Sequence, residues 1–268
     1  MKLPIFQVDA FADDVFTGNP AAVMPLEHWL PDELLQNIAM ENNLSETAFL
    51  VPKGDEFELR WFTPVAEVRL CGHATLAAAH TLYEDLGYEG DEVRFHTQSG
   101  LLRVRRSDSQ LTLDFPQTRC RPIEVDLGVC AALGATASEA LIPAENPRDI
   151  LYVYEFEDDI AGLRPDFAAL KAATEFCVIV TAPGNECDFV SRFFAPHFSI
   201  DEDPVTGSAH CALVPYWARR LNSQNLKARQ LSARGGQLDC RLHEDRVFMS
   251  GTATTFMRGH VVPSIAQR

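Results

Sequence analysis

The sequence predicts an α+β protein built from two similar halves, each with a helix inside a curled sheet. Three observations carry this prediction: an internal repeat, alternating apolar strands in each copy, and an alanine-rich helix that follows a glycine. The chain has 268 residues, of which 46% are hydrophobic and 23% charged, so its length and apolar content suffice for a full globular core. Disordered, collagen-like and coiled-coil classes are therefore excluded.

The repeat is clearest in one segment of each half. Residues 57–64, FELRWFTP, share Phe, Arg, Phe and Pro with residues 189–196, FVSRFFAP, which lie 132 positions later. The second copy is then three residues longer, so that Gly72 corresponds to Gly207 and His73 to Ser208. One copy per half indicates two similar domains rather than a solenoid. We expect pseudo-symmetric domains at residues 1–117 and 118–268, with the last strand free to pack back on the first domain.

Each copy predicts a strand, a helix and further strands. Phe57, Leu59 and Trp61 alternate along one face, which is typical of a strand. Helices are predicted from about residue 73 to 86 and from about 208 to 221, and strands near 93–95, 101–105 and 111–115. The first helix contains four closely spaced alanines, which let other elements approach it, and we therefore place it inside the sheet. Another helix is predicted over residues 32–41, because Pro31 and Asp32 form a helix-start signal.

The net charge, the N-terminus and the cysteines limit the partners and the cellular compartment that we expect for this protein. The 23 basic and 38 acidic residues give a net charge of −15, which argues against nucleic acid or an anionic membrane as partner. The N-terminus lacks the apolar run of a signal peptide, and no stretch of 18 apolar residues occurs. Seven cysteines include no C-x-x-C pair, which predicts a reduced, cytoplasmic protein without a structural metal site.

Glu46 is the first candidate for chemistry. It leads into the apolar strand segment 48–51, AFLV, and partial desolvation there would raise the pKa of its carboxyl group toward the range that suits proton transfer. A solvated loop residue, or one that serves a nearby backbone amide, is the alternative. At the offset of 132 the counterpart of Glu46 is Val178, so only the first half carries this carboxylate.

The two predicted helix starts form the second candidate feature. Free amides at a helix N-terminus bind anions, and Gly72 and Gly207 would let an anion approach the backbone. The alternative is that each glycine only makes the turn from strand to helix. Asp203 lies shortly before the second helix, where an acid also complements the helix dipole. Since one half has His73 where the other has Ser208, a single site between unlike halves fits better than two equal sites.

Five segments together are similar to a known family. They are FTGNPAAV at 16–23, SETAF at 45–49, FTP at 62–64, CGHAT at 71–75 and DPVTGSAH at 203–210. The sequence resembles the PhzF-like family, the phenazine-biosynthesis isomerase group that shares the diaminopimelate-epimerase fold. The resemblance implies two domains with mostly antiparallel, barrel-like sheets around a central helix, an active site in the cleft between them, no cofactor, no metal and a homodimer.

The resemblance also implies roles for particular residues. Glu46 of the Ser-Glu-Thr motif would shuttle a proton between carbon atoms, and His73 and Asp203 would line the site as further catalytic residues. The substrate-binding residues implied by the motifs are Asn19, Gly72, Gly207 and Ser208. The reaction that names the family is isomerisation of a dihydro-hydroxyanthranilate, an acidic cyclic diene, so a small carboxylate is the expected substrate.

Two other functions remain open at this stage. The first is an amino-acid racemase or epimerase of the same fold, a mechanism that resembles one with a cysteine directly before each helix-start glycine. Cys71 fits that pattern, but the matching residue is Thr206, whose hydroxyl is too weak a base. Cys71 is then a small buried core residue. The second is a binding protein that kept the fold and lost catalysis, against which the presence of all three predicted catalytic residues argues.

Overall fold

The computed structural model describes residues 2–145, 147–198 and 200–263. The chain forms two compact units, residues 1–114 with 250–268, and residues 115–249. The extreme ends of the predicted halves, residue 1 and residues 264–268, lie outside the described residues. Among the helices of the described part, none is long and apolar enough to cross a membrane.

The first unit mixes nine strands with two α-helices in the described residues. The strands are β1 (Leu3–Ala10), β2 (Asn19–Pro25), β3 (Glu46–Lys53), β4 (Glu56–Phe62), β5 (Glu67–Val68), β6 (Glu92–Thr97), β7 (Gly100–Ser107), β8 (Gln110–Pro116) and β18 (Ala253–Val261), and the helices are α1 (Asp32–Asn42) and α2 (Gly72–His80). A π-helical turn, Thr81–Asp85, extends α2 to nearly the predicted end of that helix.

Most strand pairs of the first unit are antiparallel. β1 pairs with β18 and β2, β3 with β4, β4 with β5, β6 with β7 and β7 with β8 in this way. The exceptions are β2 with β3 and β4 with β6, which run parallel. Because α1 connects β2 to β3 and α2 connects β5 to β6, the chain makes each parallel connection through a helix, as a parallel pair requires.

Helix α2 is the central helix of the first unit. All residues from Gly72 to Ala79 are buried, and the helix contacts β1, β2, β3, β7 and β18. Small side chains permit this approach from several strands at once, which is the arrangement that the alanines predict. The other face of β2 and β3 packs against α1, where Met24 and Phe49 meet Leu35 and Ile38.

The second unit contains the remaining strands and α-helices of the described residues. The strands are β9 (Cys120–Ile123), β10 (Glu139–Pro143), β11 (Asp149–Val153), β12 (Cys177–Pro183), β13 (Phe189–Ala195), β14 (Ile200–Asp203), β15 (Asn225–Gln230), β16 (Gly236–His243) and β17 (Arg246–Gly251), and the helices are α3 (Leu127–Leu133), α4 (Glu157–Ala161), α5 (Phe167–Ala173) and α6 (Gly207–Leu221).

The order and direction of strand pairing in the second unit match those in the first. β12 and β13 are antiparallel like β3 and β4, and β13 and β15 are parallel like β4 and β6. β11 runs parallel to β12, as β2 does to β3. Helices α3, α4 and α5 cover the face of β12 that carries Val178 and Val180.

Helix α6 takes the place in the second unit that α2 takes in the first. It packs against β15 and β16, and most of its residues are buried. Pro215 lies inside the helix, and Asn222 ends it in the left-handed conformation, at φ 51°. The helix begins at Gly207, one residue before the predicted start at residue 208, and ends at Leu221 as predicted.

Candidate active site

The strand pattern turns Asn19 and Glu46 toward α2. Successive side chains of a strand alternate between faces, and Ala22, Met24 and Phe49 occupy the α1 face. Asn19 and Glu46 belong to the opposite set. Since Glu46 pairs with Ala21, two residues after Asn19, the parallel register brings the two polar side chains to the same end of the sheet.

Helix α2 begins beside these two residues. Cys71 precedes it in an extended conformation, at φ −144°, and its carbonyl accepts hydrogen bonds from the amide and the hydroxyl of Thr75, at 3.2 and 2.5 Å. This places the imidazole of His73 in the first turn, where its side chain is only 5% exposed. His73 Nε2 lies 3.2 Å from Glu46 Oε2, so sequence-distant residues meet here.

The other ring nitrogen of His73 faces two possible donors. The Asn19 side-chain nitrogen lies 3.2 Å from His73 Nδ1, and the Cys71 sulfur lies 3.5 Å from it. Burial lowers the pKa of His73 to about 3, so the ring is neutral at physiological pH. With Nδ1 accepting from the amide, the single ring proton belongs on Nε2, where it faces the Glu46 carboxylate.

The Glu46 side chain itself is 14% exposed, against 5% for His73. Glu46 therefore borders the solvent-accessible side of this cluster, while His73 lies behind it. A carboxylate that lies beside a neutral imidazole and is partly exposed to solvent has the arrangement required of a general acid or base. The cluster also contains metal-ligand types, because one atom each of Glu46, Cys71 and His73 lies within 4.8 Å of the other two.

In the second unit, Asp203 ends β14 and belongs to a buried network. Thr206 donates its hydroxyl hydrogen to Asp203 Oδ2. Gln230 donates from Nε2 to the Asp203 carbonyl at 2.8 Å and to Thr206 Oγ1 at 3.1 Å, and its Oε1 accepts from the Thr206 amide at 2.9 Å. Gln230 thus ties the end of β14 to the start of α6. No local sequence pattern marks this glutamine, which lies 24 residues beyond Thr206.

The start of α6 repeats the backbone anchoring seen at the start of α2. His210 donates from Nδ1 to the Thr206 carbonyl at 2.9 Å, as Thr75 donates to the Cys71 carbonyl. Burial lowers the pKa of His210 to about 4, so this ring too is neutral. His210 therefore braces the helix start.

Arg148 and Asp149 are site neighbours that sequence reasoning missed. Arg148 donates from Nη2 to Ser208 Oγ at 3.0 Å, in the first turn of α6. It also forms a two-point ion pair with Asp149, through Nε at 2.8 Å and Nη2 at 3.0 Å. The adjacent Arg-Asp pair is visible in the sequence, but its approach to a helix start 60 residues later is not.

The structure corrects the assigned counterpart of Glu46. Thr47 pairs with Phe62, and Val178 pairs with Phe194, so the strand register aligns Thr47 with Val178 and Glu46 with Cys177. Val178 also packs on the α3–α5 side, away from α6. The prediction that Val178 stands opposite Glu46 was wrong by one position. Burial raises the pKa of Cys177 to about 12, so this thiol stays protonated.

The predicted residues thus fall into two groups. Asn19, Glu46 and His73 meet in the first unit beside Gly72, where α2 begins. Asp203, Gly207 and Ser208 lie at the end of β14 and the start of α6 in the second unit. Their catalytic and substrate-binding roles remain predictions.

A distant solved structure shows the fold class of the chain. A solved structure of a probable proline racemase from Agrobacterium radiobacter superposes on this chain with a TM-score of 0.65 at 13% sequence identity. The match covers 97% of this chain and 93% of the racemase chain, so the two proteins share the fold. Together with the curled α+β architecture, this confirms the predicted epimerase-like fold class.

Closer relatives define the family. The family model for phenazine biosynthesis-like protein matches residues 8–259. An uncharacterized isomerase of Pseudomonas aeruginosa is 50% identical over 261 residues, which is 97% of this chain and 99% of the relative. A crystal structure from the phenazine biosynthesis protein PhzF family of Enterococcus faecalis has a TM-score of 0.94 at 48% identity and covers 98% of this chain and 100% of its own. The chain belongs to the phenazine biosynthesis-like family, and the prediction that it is an isomerase is confirmed.

Proposed function

We propose that this protein is a cofactor-independent isomerase that moves a proton between carbon atoms of a small carboxylate substrate. The observation that carries this proposal is the Glu46 carboxylate, held 3.2 Å from a buried His73 and partly open to solvent. The His73 ring is neutral, so it does not neutralise the charge of the Glu46 carboxylate. Glu46 can therefore accept a proton and return it.

The proposed reaction needs one acid/base group. Glu46 removes a proton from a carbon next to a double bond, and the C–H electron pair shifts into the conjugated system. The carboxyl group of Glu46 then returns the proton to another carbon of that system, while the double bond moves. Backbone amides at a helix start stabilise negative charge that develops on the substrate.

We further propose a cleft in which the start of α2 and the start of α6 hold one substrate. The matching strand order of the two units supports an origin by internal duplication, which makes the two helix starts equivalent. His73 and Asp203 would then flank the substrate, and the amides following Gly72 and Gly207 would bind its carboxylate. We also propose that the protein acts in the cytoplasm as a homodimer.

The decisive experiment replaces the acid/base group and leaves its shape unchanged. Glu46→Gln should lower turnover by roughly 10²- to 10⁴-fold, the usual loss when a general acid or base is removed. Unsaturated carboxylic acids are incubated with the protein in D2O, and deuterium uptake at carbon is followed by proton NMR. Glu41→Gln, an exposed substitution at the end of α1, is the matched control. Undiminished exchange by a folded Glu46→Gln protein would overturn the assignment.

A second candidate is an epimerase that uses the Cys71 thiol as a base. The contact that favours it is the 3.5 Å distance between the Cys71 sulfur and His73 Nδ1, to which the thiol can donate a hydrogen bond. With a pKa of about 3, however, the buried His73 ring is too weak a base to remove the thiol proton. Thr206 occupies the corresponding position of the second unit, and its hydroxyl donates to Asp203. A second thiol base is therefore missing there, and we rank the single-carboxylate isomerase first.

A further inference from the structure

Arg148 lies at the start of β11, the strand of the second unit that corresponds to β2, although the strand register makes it the counterpart of Pro20 rather than of Asn19. Asn19 is the first residue of β2 and reaches His73, the second residue of α2. Arg148 directly precedes β11, the counterpart of β2, and reaches Ser208, the second residue of α6. In both units, a side chain at the start of the equivalent strand meets the first turn of the equivalent helix.

The hydrogen bonds of Arg148 leave one edge of its guanidinium available. The group has five N–H donors. Nε and Nη2 bind Asp149, and Nη2 also binds Ser208. Among the described residues, Nη1 makes no hydrogen bond. The side chain is 52% exposed, so a small molecule can reach it.

The Asp149 contact orients this edge. A two-point ion pair fixes the plane of the guanidinium, which reduces the ordering cost when Arg148 binds a further group. Asp149 faces the same side of the sheet as Cys177, with which it pairs across β11 and β12. Arg148 therefore lies beside the start of α6, on the side of the sheet opposite to α3, α4 and α5.

Ser208 adds a second donor at the same place. Its oxygen accepts from Arg148, so its own hydroxyl hydrogen can go to another acceptor. The guanidinium edge and this hydroxyl are neighbouring donors, and the two oxygens of a carboxylate can accept from both. A local cation also offsets repulsion of an anion by a chain of net charge −15.

We propose that Arg148 and Ser208 form a carboxylate-binding subsite, and that Arg148 selects anionic over neutral substrates. This inference rests on the proposed isomerase function, because it names the side chain that holds the substrate's charged group. Arg148 acts in binding and leaves the proton transfer to Glu46.

The test compares a carboxylate with its neutral counterpart. Binding of benzoate and of benzamide is measured by NMR titration of the isotope-labelled full chain. Arg148→Gln should weaken benzoate binding at least tenfold and leave benzamide binding unchanged, and Arg148→Lys should fall between it and the native protein. The control is Arg229→Gln, which removes the same charge from an exposed pair with Glu186 in the same unit. The control should change benzoate binding less than twofold.

The outcomes separate this inference from the proposed function. Equal benzoate affinity of Arg148→Gln and the native protein would overturn the subsite, as would a native protein that does not prefer benzoate to benzamide. Melting temperatures of all variants are measured alongside, and benzamide binding reports an intact pocket. Glu46→Gln should retain benzoate binding. If the isomerase proposal is wrong, the deuterium-exchange assay shows it, and the benzoate-binding result still tests the subsite independently.

Discussion

Gln230 should be the residue on which the geometry around Asp203 most depends. Its side chain is 1% exposed and takes part in three hydrogen bonds, to the Asp203 carbonyl, the Thr206 amide and the Thr206 hydroxyl. Gln230→Leu keeps a similar volume and removes all three. The Thr206 amide is then buried without its acceptor, which costs about 1–3 kcal/mol, and two oxygens lose a donor. We expect the free energy of unfolding to fall by about 2–4 kcal/mol.

This loss is large enough to measure by urea denaturation or calorimetry. A chain of this size loses roughly 2–4 °C of melting temperature per kcal/mol, so Gln230→Leu should melt roughly 4–16 °C lower. Gln224→Leu, an exposed change on the loop before β15, is the control and should shift stability by less than about 0.5 kcal/mol. If Gln230→Leu matched the control, the network would contribute nothing to holding Asp203, and its role as a brace would be refuted.

Three further predictions concern the chemistry and its pH range. Cys71→Ser should keep most isomerase activity, because Glu46 carries the proton; loss of all activity in a folded variant would favour the epimerase candidate. Dialysis against a chelator should leave activity unchanged, although Glu46, Cys71 and His73 lie close enough to bind a metal, and restoration of a lost activity by one metal would contradict this. His210 has a folded-state pKa of about 4, below its ordinary value of 6.5, so it stabilises the fold fully above pH 6.5 and progressively less as the pH falls toward 4. Between pH 7 and pH 5 the free energy of unfolding of the native protein should therefore fall by about 2 kcal/mol more than that of His210→Gln. Urea titrations of both proteins at pH 7 and at pH 5 measure this difference. An equal pH dependence of the two proteins would show that His210 is not buried in its neutral form.

The sequence by itself determined the elements that carry a clear local signal and brought three of the candidate site residues to notice. Alternating apolar residues mark β4, the alanines mark the buried helix α2, and Pro31-Asp32 marks the start of α1, because these signals are local and follow the period of each element. Asn19, Glu46 and His73 were predicted from motifs, and they meet in the structure. The catalytic and binding roles of all seven predicted site residues, and the division of the chain at residue 117, remain predictions.

Tertiary structure alone decided the pairing of distant polar residues. Sequence offset placed Val178 opposite Glu46, but the β3–β4 and β12–β13 connections differ in length, and strand pairing moved the match to Cys177. A one-residue change in register reverses the face on which a side chain lies, so this error exchanges an outward residue for an inward one. Arg148 and Gln230 likewise have no periodic signal, because a side-chain hydrogen bond depends on where two strands and a helix start meet in space. Which residues brace Asp203 and reach Ser208 is therefore a property of the packed sheet.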